Sequence, residues 1–325
     1  MNDLSPSDLK AILHSKRANI YYLEYCRVMQ KDGRVLYLTE SLSTKGQENQ
    51  YFNIPIANTT VLLLGNGTSI TQAAMRMLAQ AGVLVGFSGG AGTPLYMANT
   101  VEHAIEWMTP QSEYRPTEYL QGWMKFWFDD EKRLAAAKTF QQARIDYLHK
   151  IWNSNRSLKV EGFTTDDTNI KKALTRFNER MATATKSSDL LLTEAQLTKT
   201  LYKFAANTTK ITDFKRQHQS TDLANDFLNH GNYLAYGLAA CTLWVLGIPH
   251  GFAVMHGKTR RGALIFDVAD LIKDAIVLPW AFICAQEKAT EQEFRQQILQ
   301  AFTDNKALDF MFEQVKAVAL QESDK

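Results

Sequence analysis

The chain has 325 residues, a formal net charge of +2 and 45% hydrophobic residues, values typical of a globular protein long enough for two domains. With so small a net charge, the overall composition does not indicate a nucleic-acid-binding protein. Any surface that binds nucleic acid must then be a local patch of basic residues. The longest apolar runs, residues 234–248 and 275–284, are too short or interrupted to span a bilayer, and the polar N-terminus lacks a secretory pattern. We therefore expect a cytoplasmic protein without membrane association. Widely spaced cysteines among apolar neighbours predict buried free thiols: Cys26, Cys241 and Cys284.

Strands dominate the predicted structure of the first hundred residues. A Ser-Pro pair favours a short helix over residues 6–14, and residues 19–29 and 35–39 predict a β-hairpin around the turn KDGR. The polar residues 41–50 predict a loop. Further along, the pattern predicts two strands within residues 51–66, strands over residues 83–87 and 95–98, and a helix over residues 69–81 capped by Thr68 or Ser69.

One glycine turn in this half has features of a phosphate-binding loop. Gly65, Gly67 and Thr68 follow an apolar strand and precede a predicted helix, as in dinucleotide-binding folds. Ile70 stands where the third glycine of that fingerprint would be, and no acidic residue clearly offers itself to a ribose. A tight turn with a helix cap is the favoured interpretation, and a nucleotide-binding enzyme is kept as an alternative function.

Beyond about residue 104 the sequence predicts helices without strands. Apolar residues recur at helical spacing in two segments of residues 114–153. Further helices are predicted over residues 170–184, 190–206 and 222–246 and in the final fifty residues. The predicted fold class is therefore α+β, with a β-strand-rich N-terminal domain over residues 1–104 and a larger all-α domain over residues 105–325.

One histidine and two aspartates lie close together within residues 251–279, an otherwise apolar stretch. If this stretch is helical, the three-residue spacing places Asp267 and Asp270 on one face, and their leucine, isoleucine and valine neighbours predict burial. A buried carboxylate is costly unless it becomes neutral, pairs with a cation or binds a metal. We interpret the stretch, with His256, first as half of a metal site and second as a helix with a salt-bridged face.

The other half of such a site should come from a different helix, because metal ligands converge from several directions. Glu194 is the best candidate, since it is a lone acid followed by apolar residues at helical spacing. Taken alone, a glutamate of this kind is more often an ordinary acid in the first turn of its helix, where it interacts favourably with the helix dipole. The residue types leave both interpretations of Glu194 open.

Several segments together carry a resemblance to a known family. LLTEAQLTKTLY, HGNYLAYGLA and IPHGFAVMHGKTRRGALIFDVADLIK, with LHSKRANIYYLEYCRV in the N-terminal half, resemble the CRISPR-associated integrase of spacer acquisition, the CRISPR-associated protein one family. The likeness spans nearly the whole chain and is greatest to the type I-F subgroup. It implies a homodimeric, metal-dependent nuclease that inserts foreign DNA fragments into the CRISPR array. The subgroup also implies a partner, the fused adaptation and helicase-nuclease CRISPR-associated protein.

The resemblance also implies a role for each candidate site residue. The family's metal ligands fall on Glu194, His256 and Asp270, and Asp267 matches an auxiliary acid of the catalytic site. Two carboxylates and one imidazole suit Mg²⁺ or Mn²⁺. The implied chemistry is attack of a 3′-hydroxyl on a phosphodiester of the array, or of water when the site cuts DNA. His250, six residues before His256, is expected to make a structural hydrogen bond.

Basic residues beside this site are the candidates for binding DNA, both the foreign fragment and the CRISPR repeat. Lys258, Arg260 and Arg261 form a basic turn directly after the histidine, and Lys273 lies one helical turn past the second aspartate. Their position favours phosphate contacts over a solvated basic turn. Tyr233 is a further candidate, for which packing in its own helix is an equally good explanation. A third hypothesis, a non-catalytic helical scaffold, predicts that the three ligands do not converge.

Overall fold

The computed structural model describes residues 19–43, 46–87, 106–108, 117–217, 222–257 and 262–321. The chain divides into two compact units, Met1–Tyr114 and Arg115–Lys325. Over the described ranges the first unit contains both sheets and one α-helix, and the second is helical. The expected α+β class is therefore confirmed. None of the helices in these ranges is both long and apolar enough to cross a membrane.

The described part of the first unit contains two four-stranded sheets and one α-helix. Its elements are β1 (Asn19–Leu23), β2 (Cys26–Lys31), β3 (Arg34–Ser43), β4 (Gly46–Ile54), a 3₁₀ turn (Ile56–Asn58), β5 (Thr59–Leu64), β6 (Ser69–Ile70), α1 (Gln72–Gln80), β7 (Leu84–Phe87) and β8 (Glu106–Met108). The sheet orders are β1-β5-β7-β8 and β4-β3-β2-β6, so each sheet includes at least one pair of neighbours that are not consecutive in the chain. Every residue of β5 is buried, as expected for a central strand that pairs in parallel on both sides.

The predicted hairpin and the loop after it differ from the structure in two respects. The single strand expected over residues 19–29 is broken at Tyr25, whose φ is +47°, so that β1 joins one sheet and β2 the other. The loop expected over residues 41–50 is wrong, because β3 and β4 pair as far as Ser43 and Gly46. An antiparallel ladder satisfies backbone groups whatever the polarity of the side chains, so a polar composition does not exclude strands.

A short strand also lies where the sequence predicted helices alone. Strand β8 pairs antiparallel with β7, and three residues are too few to carry a periodic signal. The first compact unit consequently extends to Tyr114, beyond the boundary expected after residue 104. The helix predicted over residues 6–14 and the strand predicted over residues 95–98 lie outside the described residues.

The glycine turn after β5 is explained by its own backbone. A Cβ atom on Gly65 would lie 2.4 Å from the hydroxyl of Tyr22, and Gly67 has a φ of +66°, in the left-handed region that favours glycine. The hydroxyl of Thr68 donates to the carbonyl of Gly65 at 2.7 Å. These contacts account for the glycine at both positions, and no bound ligand is needed to explain them.

The helix after this turn begins later than predicted. Thr71 is the cap, and its hydroxyl accepts a hydrogen bond from the amide of Ala74 at 3.3 Å. The cap predicted at Thr68 or Ser69 is wrong, because Ser69 and Ile70 pair with β2 as β6. A strand therefore separates the glycine turn from the helix N-terminus, unlike the arrangement of dinucleotide-binding folds.

All three cysteines, one in the first unit and two in the second, are buried and free, as expected.

The second unit is built from helices of very different length. The helices are α2 (Glu118–Trp127), α3 (Asp130–Ser154), α4 (Arg156–Val160), α5 (Thr168–Thr183), α6 (Ser187–Thr208), α7 (Leu223–Val245), α8 (Ala263–Ile272), a π turn (Lys273–Val277), α9 (Leu278–Gln286), α10 (Glu291–Asp304) and α11 (Ala307–Leu320).

The π turn between α8 and α9 has an identifiable cause. Pro279 has no N–H to donate to the carbonyl of Ala275, four residues earlier, and the ladder shifts so that Leu278 donates to Lys273. The indole of Trp152, which is fully buried on α3, donates to the Ala275 carbonyl at 3.2 Å. This hydrogen bond supplies a partner for a buried carbonyl oxygen at the proline.

We expect Trp152→Phe to destabilise the second unit by about 1–3 kcal/mol, because it leaves the Ala275 carbonyl without its donor. Adding Pro279→Ala restores an N–H at the position from which a regular helix would donate to that carbonyl. The double variant should therefore recover roughly 1 kcal/mol of the loss in urea unfolding. Strictly additive effects of the two substitutions would contradict this explanation of the π turn.

Gly65→Ala should destabilise the first unit whether or not a nucleotide is present, because its Cβ would clash with the Tyr22 hydroxyl. Removing the hydroxyl with Tyr22→Phe should recover part of the stability, since it removes the nearest clashing atom. Thermal unfolding with and without ATP or NAD measures both effects. A nucleotide that raises the melting temperature of the wild type but not of Gly65→Ala would instead support the dinucleotide alternative.

Candidate metal centre

Three elements of the second unit bring the predicted ligands together. Glu194 lies on α6, His256 on the segment between α7 and α8, and Asp270 on α8. One ligand atom from each of the three lies within 4.8 Å of the other two. The Nε2 atom of His256 is 3.9 Å from Oδ2 of Asp270. The helical spacing of Asp267 and Asp270 places both on the inner face of α8, where both are buried.

Asp267 holds the histidine segment in place. Its carboxylate is 3% exposed and accepts hydrogen bonds from the backbone amides of Val254 at 2.7 Å, Met255 at 3.1 Å and His256 at 3.1 Å. Its Oδ1 atom is also 2.6 Å from Nδ1 of the His256 ring. With Nδ1 donating to this carboxylate, the neutral ring presents its lone pair at Nε2, toward Asp270. Asp267 therefore orients the His256 ring and lies outside the group of three converging residues.

Helix α2 also holds the same segment. The indoles of Trp123 and Trp127 donate to the carbonyls of Phe252 at 3.0 Å and Ala253 at 2.8 Å. Because these carbonyls lie just before the histidine, the two indoles and Asp267 leave the segment little freedom.

His250 makes the structural hydrogen bond that the sequence predicted for it. Its ring bonds to the backbone of Ala240, and burial lowers its pKa below the ordinary value. Its own carbonyl accepts a hydrogen bond from the amide of Leu264 at 2.9 Å, near the start of α8. His250 therefore connects α7 to α8 and does not join the three converging ligands.

Each of the two converging carboxylates has a cationic partner. Arg144 on α3 lies with Nη1 2.8 Å from Oε1 of Glu194 and also pairs with Asp274 of the π turn. Lys273 forms an ion pair with Asp270, and its ammonium lies 5.4 Å from the ring centroid of Tyr236. These partners reduce the cost of burying carboxylates so close together.

The two carboxylates differ in how easily they ionise. Burial raises the pKa of Glu194 and the charge of Asp270 raises it further, while Arg144 only partly opposes them. Burial also acts to raise the pKa of Asp270, but Lys273, Arg144 and His256 together bring it below the ordinary value. Glu194 is thus the ligand whose ionised form would gain most from an additional cation.

The chemistry and charge of the cluster fit a divalent cation. With His256 neutral, four carboxylates (Asp267, Asp270, Asp274 and Glu194) against two cations (Arg144 and Lys273) leave a net charge of −2. Two hard carboxylate ligands and one imidazole are the donors that Mg²⁺ and Mn²⁺ accept. One such ion would therefore neutralise the buried cluster.

Of the residues predicted to bind DNA, the structure describes Lys273 and Tyr233. Lys258, Arg260 and Arg261 lie outside the described residues. Lys273 is engaged with Asp270, and 22% of its side chain remains exposed. The ring of Tyr233 is half-buried on α7 and packs 6.0 Å from Tyr236, which links it to the surroundings of Lys273.

Two residues of the centre, Arg144 and Asp274, were not predicted from the sequence. The sequence does contain a signal for Arg144, because it lies four residues from both Phe140 and Leu148 and so shares an apolar face of α3. A lone cation on such a face indicates a buried acidic partner. Asp274 stands four residues after Asp270 and so shares its helix face. The partnership of the two residues spans separate elements and carries no local signal.

Comparison with known proteins finds one family and one fold. The sequence pattern of the family "CRISPR associated protein Cas1" matches residues 21–315. The chain is 57% identical over 320 residues to the "CRISPR-associated endonuclease Cas1" of Pectobacterium atrosepticum, covering 98% of this chain and 97% of that protein. A "Casposase bound to integration product" has a similar fold, with a TM-score of 0.67 at 16% identity over 94% of this chain and 92% of that one. The "TtCas1-DNA complex" has a TM-score of 0.59 at 20% identity over 92% of this chain and 91% of that one. Because the family pattern and the high identity both extend over nearly the whole length, the chain belongs to the CRISPR associated protein Cas1 family.

Proposed function

We propose that this protein is a metal-dependent DNA endonuclease and integrase of CRISPR adaptation, which joins the 3′-hydroxyl ends of foreign DNA fragments to the CRISPR array by transesterification. The convergence of Glu194, His256 and Asp270 carries the proposal. A non-catalytic scaffold gives no reason for three such ligands, with an oriented histidine, to meet in a buried cluster. The relative from Pectobacterium, whose name includes "endonuclease", adds support for phosphodiester chemistry.

Mg²⁺ or Mn²⁺ is the proposed cofactor, held by Glu194, His256 and Asp270. When bound, the ion would polarise a phosphoryl oxygen and make a nearby hydroxyl or water more acidic. The protein itself orients the ligands, because Asp267 fixes both the ring and the backbone of His256. The apolar packing of α8 keeps bulk water from the carboxylates, which strengthens their interaction with a cation.

DNA is the proposed substrate, as both the foreign fragment and the CRISPR repeat. Lys258, Arg260 and Arg261 follow His256 directly, so they are placed to neutralise phosphates beside the centre. We include Lys273 and Tyr233 because they lie next to Asp270 and Tyr236 respectively. A member of the same fold solved with DNA is consistent with this role.

A homodimer is the proposed assembly, because one inserted fragment requires two strand-joining events and the described residues of each chain form one such centre. The resemblance to the type I-F subgroup adds a proposed partner, the fused adaptation and helicase-nuclease CRISPR-associated protein. An integration assay with and without that partner, combined with light scattering of the free protein, tests both assignments.

We expect His256→Ala and Asp270→Ala each to reduce Mn²⁺-dependent DNA nicking and strand transfer at least about 100-fold, because each removes a proposed ligand. Gel-based cleavage and integration of labelled DNA measure both activities, and circular dichroism checks the fold. His250→Gln is the matched control, since it replaces a neighbouring histidine outside the converging group. Activity of His256→Ala and Asp270→Ala equal to the wild type would rule out this centre as the catalytic site.

Replacing Lys258, Arg260 and Arg261 together by alanine should weaken DNA binding similarly for all sequences. The slope of log K against log salt should fall by roughly 0.9 for each phosphate that the variant no longer neutralises. Fluorescence anisotropy over a salt series measures the slope in metal-free buffer. The control is the alanine triple of Lys171, Lys172 and Arg176, which removes the same charge from the exposed side of α5. An identical slope in the wild type and the first triple would exclude these residues from phosphate binding.

A further inference from the structure

Arg144 connects two acids from different elements through one buried guanidinium. Its side chain is 2% exposed, with Nη1 2.8 Å from Oε1 of Glu194 and Nη2 2.5 Å from Oδ2 of Asp274. Its Nε atom donates to the same Asp274 oxygen at 2.7 Å, while Gln141 and Thr198 accept further hydrogen bonds at 3.3 Å. The planar guanidinium offers donors in fixed directions, so it constrains both acids at once. Glu194 is thereby tied to the π turn that follows Asp270.

A cation beside a metal ligand would ordinarily oppose the binding of a metal. Here Asp274 accepts from two nitrogens of Arg144, so the two residues together carry no net charge. The remaining Nη1 contact then acts on Glu194 mainly as a directed hydrogen bond. The interaction resembles those in which a residue outside the ligand set fixes the orientation of a ligand.

The location of the two acids supports the same interpretation. Asp274 lies within the π turn, one residue after Lys273, and both residues share a face with Asp270. One face of this segment therefore provides a proposed ligand, the cation that pairs with it and the acid that holds Arg144. Helix α3 contributes Arg144 from outside, and helix α6 carries Glu194 to it.

We propose that Arg144 is a positioning residue of the metal centre, and that Asp274 enables this role by neutralising its charge. The inference rests on the proposed function, since it assumes that Glu194 binds a divalent cation. Arg144 holds the Glu194 carboxylate in the orientation that the cation requires. Without Asp274, the same guanidinium would repel the cation that it helps to place.

The test is direct Mn²⁺ binding by isothermal titration calorimetry, without DNA and without turnover. Arg144→Gln and Asp274→Asn should each weaken Mn²⁺ binding roughly 10- to 100-fold, the usual effect of losing a residue that orients a metal ligand. The sign of the change is decisive. If Arg144 were only a counter-ion that occupies Glu194 until a metal displaces it, Arg144→Gln would bind Mn²⁺ more tightly. Tighter or unchanged binding in this variant would overturn the proposal.

Two further variants separate position from charge. Arg144→Lys keeps the charge but not the planar fork, so it should bind Mn²⁺ as weakly as Arg144→Gln. Full recovery with lysine would show that charge alone matters and would exclude positioning. Arg176→Gln removes an exposed arginine of α5 and should leave Mn²⁺ affinity unchanged. A comparable loss of affinity in this control would mean that net charge decides, which also overturns the proposal.

Folding is controlled with a double variant, because an unpaired buried acid is strongly destabilising. If Arg144→Gln does not fold, Arg144→Gln combined with Asp274→Asn removes one of the two acids left unpaired and should restore part of the melting temperature, since only Glu194 then lacks its cation. This double variant should still bind Mn²⁺ weakly, and wild-type affinity in it would contradict the proposal.

The wild type and His256→Ala distinguish failure of the inference from failure of the proposed function. No saturable Mn²⁺ binding by the wild type, or equal binding by His256→Ala, would remove the metal centre itself. Wild-type binding that is lost in His256→Ala but retained in Arg144→Gln would remove only the role of Arg144.

Discussion

The Asp267 carboxylate is the interaction on which the arrangement of the centre depends. It is buried and accepts three backbone amides in addition to its contact with the His256 ring. A carboxylate in this position would be costly without those donors, and the segment before α8 would be held only by the indoles of Trp123 and Trp127 if the carboxylate were removed. The same group that folds the segment therefore selects which ring nitrogen of the histidine faces the other ligands.

The charges around the centre follow from the need to bury several acids together. Arg144 and Lys273 offset part of the repulsion between the acids and reduce the cost of burying them. They do not offset all of it, and the remaining negative charge is what a divalent cation would neutralise. The ion pairs that stabilise the buried acids and the proposed ligands of the ion therefore belong to the same few elements, α3, α6, α8 and the π turn, with His256 on the segment before α8.

Local sequence patterns predicted the correct type of element for long segments with a regular apolar spacing. They failed where pairing with a distant strand determined the structure. The helices around Glu194 and Asp270 follow from apolar residues at helical spacing. The break at Tyr25, the paired strands over residues 41–50 and the short β8 depend on backbone hydrogen bonds to distant strands. Such pairing satisfies backbone groups without leaving a mark in side-chain polarity.

The sequence by itself determined that Asp267 and Asp270 share a buried face, because a three-residue spacing and apolar neighbours are local properties of one helix. The same stretch of sequence also singled out His256, and helical spacing made Glu194 the best candidate for the other half of the site. Only the family resemblance favoured a metal-binding role for Glu194 over an ordinary position in the first turn of its helix. Tertiary structure decided the rest: that Asp267 contacts the histidine ring, that Arg144 of α3 reaches Glu194, and that Asp274 pairs with Arg144. These interactions join residues between 11 and 130 positions apart, and their geometry exists only after the helices have packed against one another.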